Sequence, residues 1–279
     1  MINNPIKRRS IHAFSLPLMG LSTAVLMSPS IALAESEIAW MMGGQISHKT
    51  QELDQLLDSE LSFKVVSLTA RAGYRDFYAA VNLSQSFDDA DVSEEGETGD
   101  ASREDYDITL GWNITPEFTV FGGYKTGETE IDFKARDSVI EDAEGDITAA
   151  FTDTFEESGL FVGVGYGISL GTAGQLGFSI AYADMDADND LTGTPDEGDM
   201  DEEDDVDFDD LTGTFSGDVS GYSAAAQWSI PLSDSLVYQA IIRYNSYEQE
   251  IDDTVQGVKV SFDVDERFYE MGMGLLYVF

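Results

Sequence analysis

Residues 268–279 read FYEMGMGLLYVF. Every second residue of this stretch is apolar or aromatic: Tyr269, Met271, Met273, Leu275, Tyr277 and Phe279. Between them lie Glu270, Gly272 and Gly274. A two-residue period of this kind marks a β-strand with one greasy face and one small or polar face. The stretch closes a 279-residue chain with a formal net charge of −40. The end of a soluble acidic domain ordinarily frays into water, so a greasy terminal strand calls for a different solvent on one side.

The same period recurs along the chain in ten segments, at 36–48, 63–75, 77–88, 104–114, 118–132, 158–170, 175–187, 218–232, 236–250 and 267–279. In the fourth, Tyr106, Ile108, Leu110, Trp112 and Ile114 share one face against Asp107, Thr109, Gly111 and Asn113. In the sixth, Leu160, Val162, Val164, Tyr166, Ile168 and Leu170 oppose a glycine-rich face. The connections alternate in length. Those at 75–76, 115–117, 171–174 and 233–235 are tight, and those after the odd segments are long and acidic. Short turns at one end and long loops at the other predict a closed antiparallel transmembrane up-and-down β-barrel, with about ten strands, short periplasmic turns and long acidic extracellular loops. Beyond the first 34 residues, Pro116 falls in a turn, Pro195 in a loop and Pro231 at a strand end, so none interrupts a ladder.

Aromatic residues sort by height in this scheme. Trp40, Tyr74, Phe77, Trp112, Phe118, Trp228, Tyr238, Tyr277 and Phe279 fall near the short turns. Tyr106, Tyr124, Tyr166, Tyr182, Tyr222, Tyr244 and Tyr269 fall higher. Two girdles around an aliphatic band are what a bilayer requires.

The first residues fit an exported chain. Lys7, Arg8 and Arg9 precede an apolar stretch, and Ala32, Leu33 and Ala34 form a small-x-small cleavage signal. Residues 1–34 are read as a cleaved signal peptide and 35–279 as the barrel domain. The apolar run is short and broken by Pro17 and Pro29, which argues against a spanning helix. Cleavage leaves 11 Lys and Arg against 54 Asp and Glu.

Over its mature length the chain resembles the bacterial outer-membrane β-barrel proteins of the porin-like superfamily. In that family a terminal Phe preceded by alternating apolar residues also serves as an assembly signal, and Phe279, Tyr277 and Leu275 match that pattern. The resemblance implies the outer membrane of a Gram-negative cell as location. It implies outer-membrane lipid, lipopolysaccharide and the barrel-assembly machinery as partners. It does not imply an activity, because one architecture hosts many functions.

The inward face is small and polar but carries Arg71, Asp107, Lys125, Arg243 and Glu270. Asp107 and Lys125 flank the 115–117 turn symmetrically, which predicts that they stand opposite each other; Arg243 and Glu270 fall at similar height on neighbouring strands. These charges form either a salt-bridge plug or a constriction that selects permeants. The function expected first is a narrow, passive, cation-favouring pore. The alternative is a closed structural or surface-interaction barrel displaying acidic loops.

Residues 184–210 hold 15 acids in 27 residues and no base. Such a segment extends and hydrates. It also attracts divalent cations, for which carboxylates are the preferred hard ligands. Asp186, Asp188, Asp190 and Glu197 fall at EF-hand positions, but Leu191 stands where the loop needs Gly and no helix flanks it. With Asp201 and Asp204 these residues form a cation-attracting loop that binds Ca²⁺ or Mg²⁺ loosely, with no specific metal site and no other cofactor expected. In the first long connection Leu53, Leu56, Leu57 and Leu61 have helical spacing, which fits either a short helix over the mouth or a turn packed on the rim.

An enzyme is not expected. The chain has no Cys, and after the signal only His48 remains. Omptin-like proteases share a ten-stranded barrel with paired Asp residues and an Asp–His couple. Here Asp88 and Asp89 lie at a strand end, but no Asp-x-His pair exists. Ser47 adjoins His48, so on a strand the two point to opposite faces. The charge excludes a nucleic-acid footprint. Nothing in the sequence sets an oligomeric state.

Overall fold

The computed structural model describes residues 38–54, 60–94, 97–134, 149–195, 213–255 and 258–279. They form β1 (Ala39–Asp54), β2 (Leu61–Tyr74), β3 (Phe77–Asp88), β4 (Ala90–Glu94), β5 (Glu97–Asn113), β6 (Phe118–Lys134), β7 (Ala149–Ser169), β8 (Gln175–Pro195), β9 (Gly213–Ser233), β10 (Leu236–Val255) and β11 (Val258–Val278). A single 3-10 turn, Gly171–Ala173, sits between β7 and β8. All pairings are antiparallel, and the sheet runs β3-β2-β1-β11-β10-β9-β8-β7-β6-β5-β4. Pairing of β3 with β5 closes a ten-stranded barrel. The extra strand β4 continues β3 beyond Asp89 and pairs with the outer part of β5.

The alternation read in the sequence separates two walls of opposite chemistry. Leu110 is 62% and Met271 68% exposed on the outside. Their strand neighbours Thr109 and Glu270 are buried inside. Greasy side chains outward and charged side chains inward invert a water-soluble core, and only a barrel in lipid gains from that inversion. Closure satisfies every strand edge within the bilayer, where an unpaired backbone group costs several kcal/mol.

The girdles pair across strands. On the short-turn side Phe77 stacks on Trp112, and Trp228 meets Tyr238 edge-on. Higher up, Tyr182 lies against Tyr222 and Tyr244 against Tyr269. Tyr166 corrects the sequence assignment: it stands opposite Phe118 and Phe178 and belongs to the lower girdle. The β7 strand meets its turn only at Leu170, so few residues separate Tyr166 from the rim.

The strands run farther outward than expected. A bilayer needs about 9–11 residues per tilted strand, whereas β7, β8, β9 and β11 have 21 each. Much of what reads as acidic loop is therefore hairpin, because ladder hydrogen bonds continue wherever the partner strand continues. Pro195 is the last residue of β8 rather than a loop residue. Leu53 lies in β1 and Leu61 opens β2, so those two are strand residues and not part of a helix. Leu56 and Leu57 lie outside the described residues, as do residues 1–34, expected to be a signal peptide.

The chain end is fastened. The Phe279 N–H donates to the Trp40 carbonyl at 3.0 Å, and β11 pairs with β1 from Met41–Val278 up to Asp54–Asp265. One lower turn depends on glycine: Gly174 has φ +91°, and a Cβ there would run into the Ser229 carbonyl. Gly174→Val is expected to lower stability by about 1–3 kcal/mol, read as a shifted urea midpoint in micelles.

Candidate functional site: the lumen and the outer wall

Eleven buried charged residues face inward among those described: Lys49, Arg71, Arg103, Lys125 and Arg243, with Asp105, Asp107, Asp153, Glu157, Glu266 and Glu270. Five cations against six carboxylates leave the lumen nearly neutral among the described residues. The register places Asp107 opposite Lys125 and Arg243 opposite Glu270. Arg243 Nη1 donates to Glu270 Oε2 at 2.7 Å. Asp107 accepts instead from Asn82 at 2.7 Å and from Thr109. Lys125 Nζ makes no hydrogen bond and stands 5.6 Å from the Tyr247 ring centre. Arg71 lies over Tyr78, with its Cζ 3.8 Å from the ring centre.

The strongest contacts involve residues that the sequence reading missed. Lys49 on β1 donates to Asp105 on β5 at 2.8 Å, reaching across the interior between strands that are not neighbours. Arg103 donates twice to Asp105 Oδ1, at 3.0 and 2.7 Å, and once to Thr129 at 2.9 Å. Glu157 approaches Arg103 at 3.9 Å, and Gln51 donates to Glu266 at 2.6 Å. Lys49, Gln51, Arg103, Glu157 and Glu266 lie just beyond the ends of the segments read as strands, whereas Asp105 and Thr129 lie within segments 104–114 and 118–132. Continuing the period of Asp107 outward reaches Asp105 and Arg103, and continuing that of Gly159 reaches Glu157.

This layer leaves little room for water among the described residues. Lys49, Gln51, Arg103, Asp105, Lys125, Thr129, Glu157 and Glu266 are each at most 6% exposed. Val65, Ser84, Met185, Ser223 and Tyr247 from the remaining strands are buried beside them. A continuous water path would have to wet its own lining. Toward the outer end, Leu61, Phe63, Val92, Ile131, Phe133 and Phe155 form a buried apolar cluster.

Asp186, Asp188 and Asp190, expected in a loop over the mouth, are exposed residues on the outward face of β8. They do not overhang the lumen, because they alternate with the inward Met185, Ala187 and Asn189. Glu197, Asp201 and Asp204 lie outside the described residues. Cross-strand partners extend the acidic face: Glu104, Glu128, Glu156 and Asp188 follow one another on β5, β6, β7 and β8. Asp186 similarly faces Asp218, which faces Glu250. Like charges directly opposite cost stability unless counter-ions gather. Partial burial, together with Glu156 and Glu104 alongside, raises the Glu128 carboxyl above its ordinary pKa. Ser47 is buried inward and His48 exposed outward, so these two form no catalytic couple. Leu275, Tyr277 and Phe279 all face outward.

No family model and no curated protein matches the chain. Among solved structures it is similar to the translocator domain of autotransporter NalP from Neisseria meningitidis (12% identity, 88% of this chain and 90% of that chain, TM-score 0.49). It is also similar to the outer membrane protease OmpT from Escherichia coli (10% identity, 88% and 96%, TM-score 0.47) and to Ail of Yersinia pestis (11% identity, 87% and 99%, TM-score 0.37). By its own register, girdles and inverted polarity, the chain has the architecture of the bacterial outer-membrane β-barrel proteins.

Proposed function

We propose that the chain is an outer-membrane barrel of Gram-negative bacteria that works through its outer surface, with its lumen closed. The observation that carries this reading is the buried charge layer, spanning the interior under an apolar cap. The barrel then serves as a rigid mount. Its working part is the wall of carboxylates raised above the upper tyrosine girdle, where Glu104, Glu128, Glu156 and Asp188 offer hard oxygen ligands to divalent cations. Cations held there would bridge the wall to other anionic surfaces. Ca²⁺ or Mg²⁺ at millimolar concentration is expected to raise the unfolding temperature, and Glu128→Gln with Glu156→Gln to blunt that rise.

The narrow cation-favouring pore is the second reading. It is favoured by Glu157, whose two carboxylate oxygens have no hydrogen-bond partner in the protein, and by Lys125 Nζ, which has none either. Buried polar groups in that condition are commonly met by water. Conductance of refolded protein in a planar bilayer under a salt gradient separates the two. Silence is expected; steady discrete steps with a cation-favouring reversal potential would replace the closed barrel by the pore.

A further inference from the structure

We infer that the outer wall holds a groove for one phosphate-bearing lipid of the outer leaflet, its chain along β9 to β11 and its phosphate at His48 and Lys64. The inference rests on the outer-membrane placement proposed above. A groove of about 1010 Å³ lies on this wall, large beside the ~300–1,000 Å³ of ordinary ligand sites. Its lining follows a single cross-strand row. Phe178 pairs with Ala226, Ala226 with Ile242, Ile242 with Met271, Met271 with His48, and His48 with Lys64.

The floor of the groove is Ala226 with Ala224, two short side chains held between the taller Phe178 and Ile180 on one side and Ile242 and Tyr244 on the other. The row also climbs. Phe178 lies just past the short turn at the start of β8, whereas Lys64 lies near the outer end of β2, opposite Asp88 at the outer end of β3. Polarity follows height, from Phe, Ala, Ile and Met at the bottom to imidazole and ammonium at the top. That is the profile of an amphiphile standing tail-down in an outer leaflet.

Charge selects the headgroup. The outer wall over β5 to β9 presents carboxylates at this level, while the groove ends in Lys64 and His48. Asp88 accepts from Lys64 Nζ, and an ammonium has three donors, so two remain for phosphate oxygens. A zwitterionic headgroup brings its own cation to the same place and gains less.

The test counts lipids retained by the full-length refolded protein in mild detergent, by native mass spectrometry at low salt. Phosphatidylglycerol and phosphatidylcholine with identical chains are the probes. Phosphatidylglycerol is expected to be retained about two- to fivefold better, one basic residue at a membrane surface being worth about fivefold and Asp88 offsetting part of it. Lys64→Glu should abolish the preference, and Ala226→Trp should abolish retention of both lipids. Ala224→Leu is the milder filling variant should Ala226→Trp not fold. Equal retention of the two lipids by the unsubstituted protein, or retention indifferent to these substitutions, would overturn the groove. Failure of the refolded chain to float with vesicles would instead sink the outer-membrane placement, and the groove with it.

Discussion

Arg103→Ala is expected to destabilise the barrel by about 3–5 kcal/mol, the range for removing one partner of a buried ion pair. Arg103 is 1% exposed and serves Asp105, Thr129 and Glu157 at once, with its guanidinium 5.4 Å from the Phe268 ring centre. Its loss leaves Asp105 with Lys49 alone and Glu157 without its nearest cation. Arg103→Lys should fall between the two, keeping the charge and losing the planar fork. Urea unfolding in micelles, followed by tryptophan fluorescence, measures both. A cost below about 1 kcal/mol, the value of an exposed pair, would mean that the layer is already wet, and would move the weight to the pore.

Phe63→Ala is the second large effect, at about 3–5 kcal/mol. Phe63 is fully buried in the outer apolar cluster, so its truncation opens a cavity there. The control is Leu110→Ala. Leu110 is greasy too, but it faces outward into lipid. Removing it exchanges side-chain surface for acyl chain and leaves no cavity, so a change of less than about 1 kcal/mol is expected. Equal costs at the two positions would contradict the assignment of inside and outside.

Much of the barrel was legible because a strand buried between lipid and lumen writes its two faces into alternate residues. Tyr269 to Phe279 against Glu270 to Gly274 is enough to identify β11 and its outward face. The symmetric placement of Asp107 and Lys125 about a three-residue turn likewise foretold their register. Legibility stopped at the membrane rim. Above it both faces meet water or a mixed interior, so the apolar signal fades while the ladder goes on. That is why Arg103, Glu157 and Glu266 went unnoticed, and why Asp188 and Asp190 looked like loop.

The sequence by itself determined the strand periodicity, the closed transmembrane architecture, the side on which the short turns lie and the register that sets Asp107 opposite Lys125, because each follows from local period and turn length. Only the tertiary structure decided that Lys49 reaches Asp105 across the interior, that Arg103, Glu157 and Glu266 are buried in one layer with them, and that the Ala224 and Ala226 notch lines up with His48 and Lys64 across five strands. Those facts depend on which residues of non-adjacent strands share a height, and height is set by tilt and register around the whole ring rather than by any one segment of the chain.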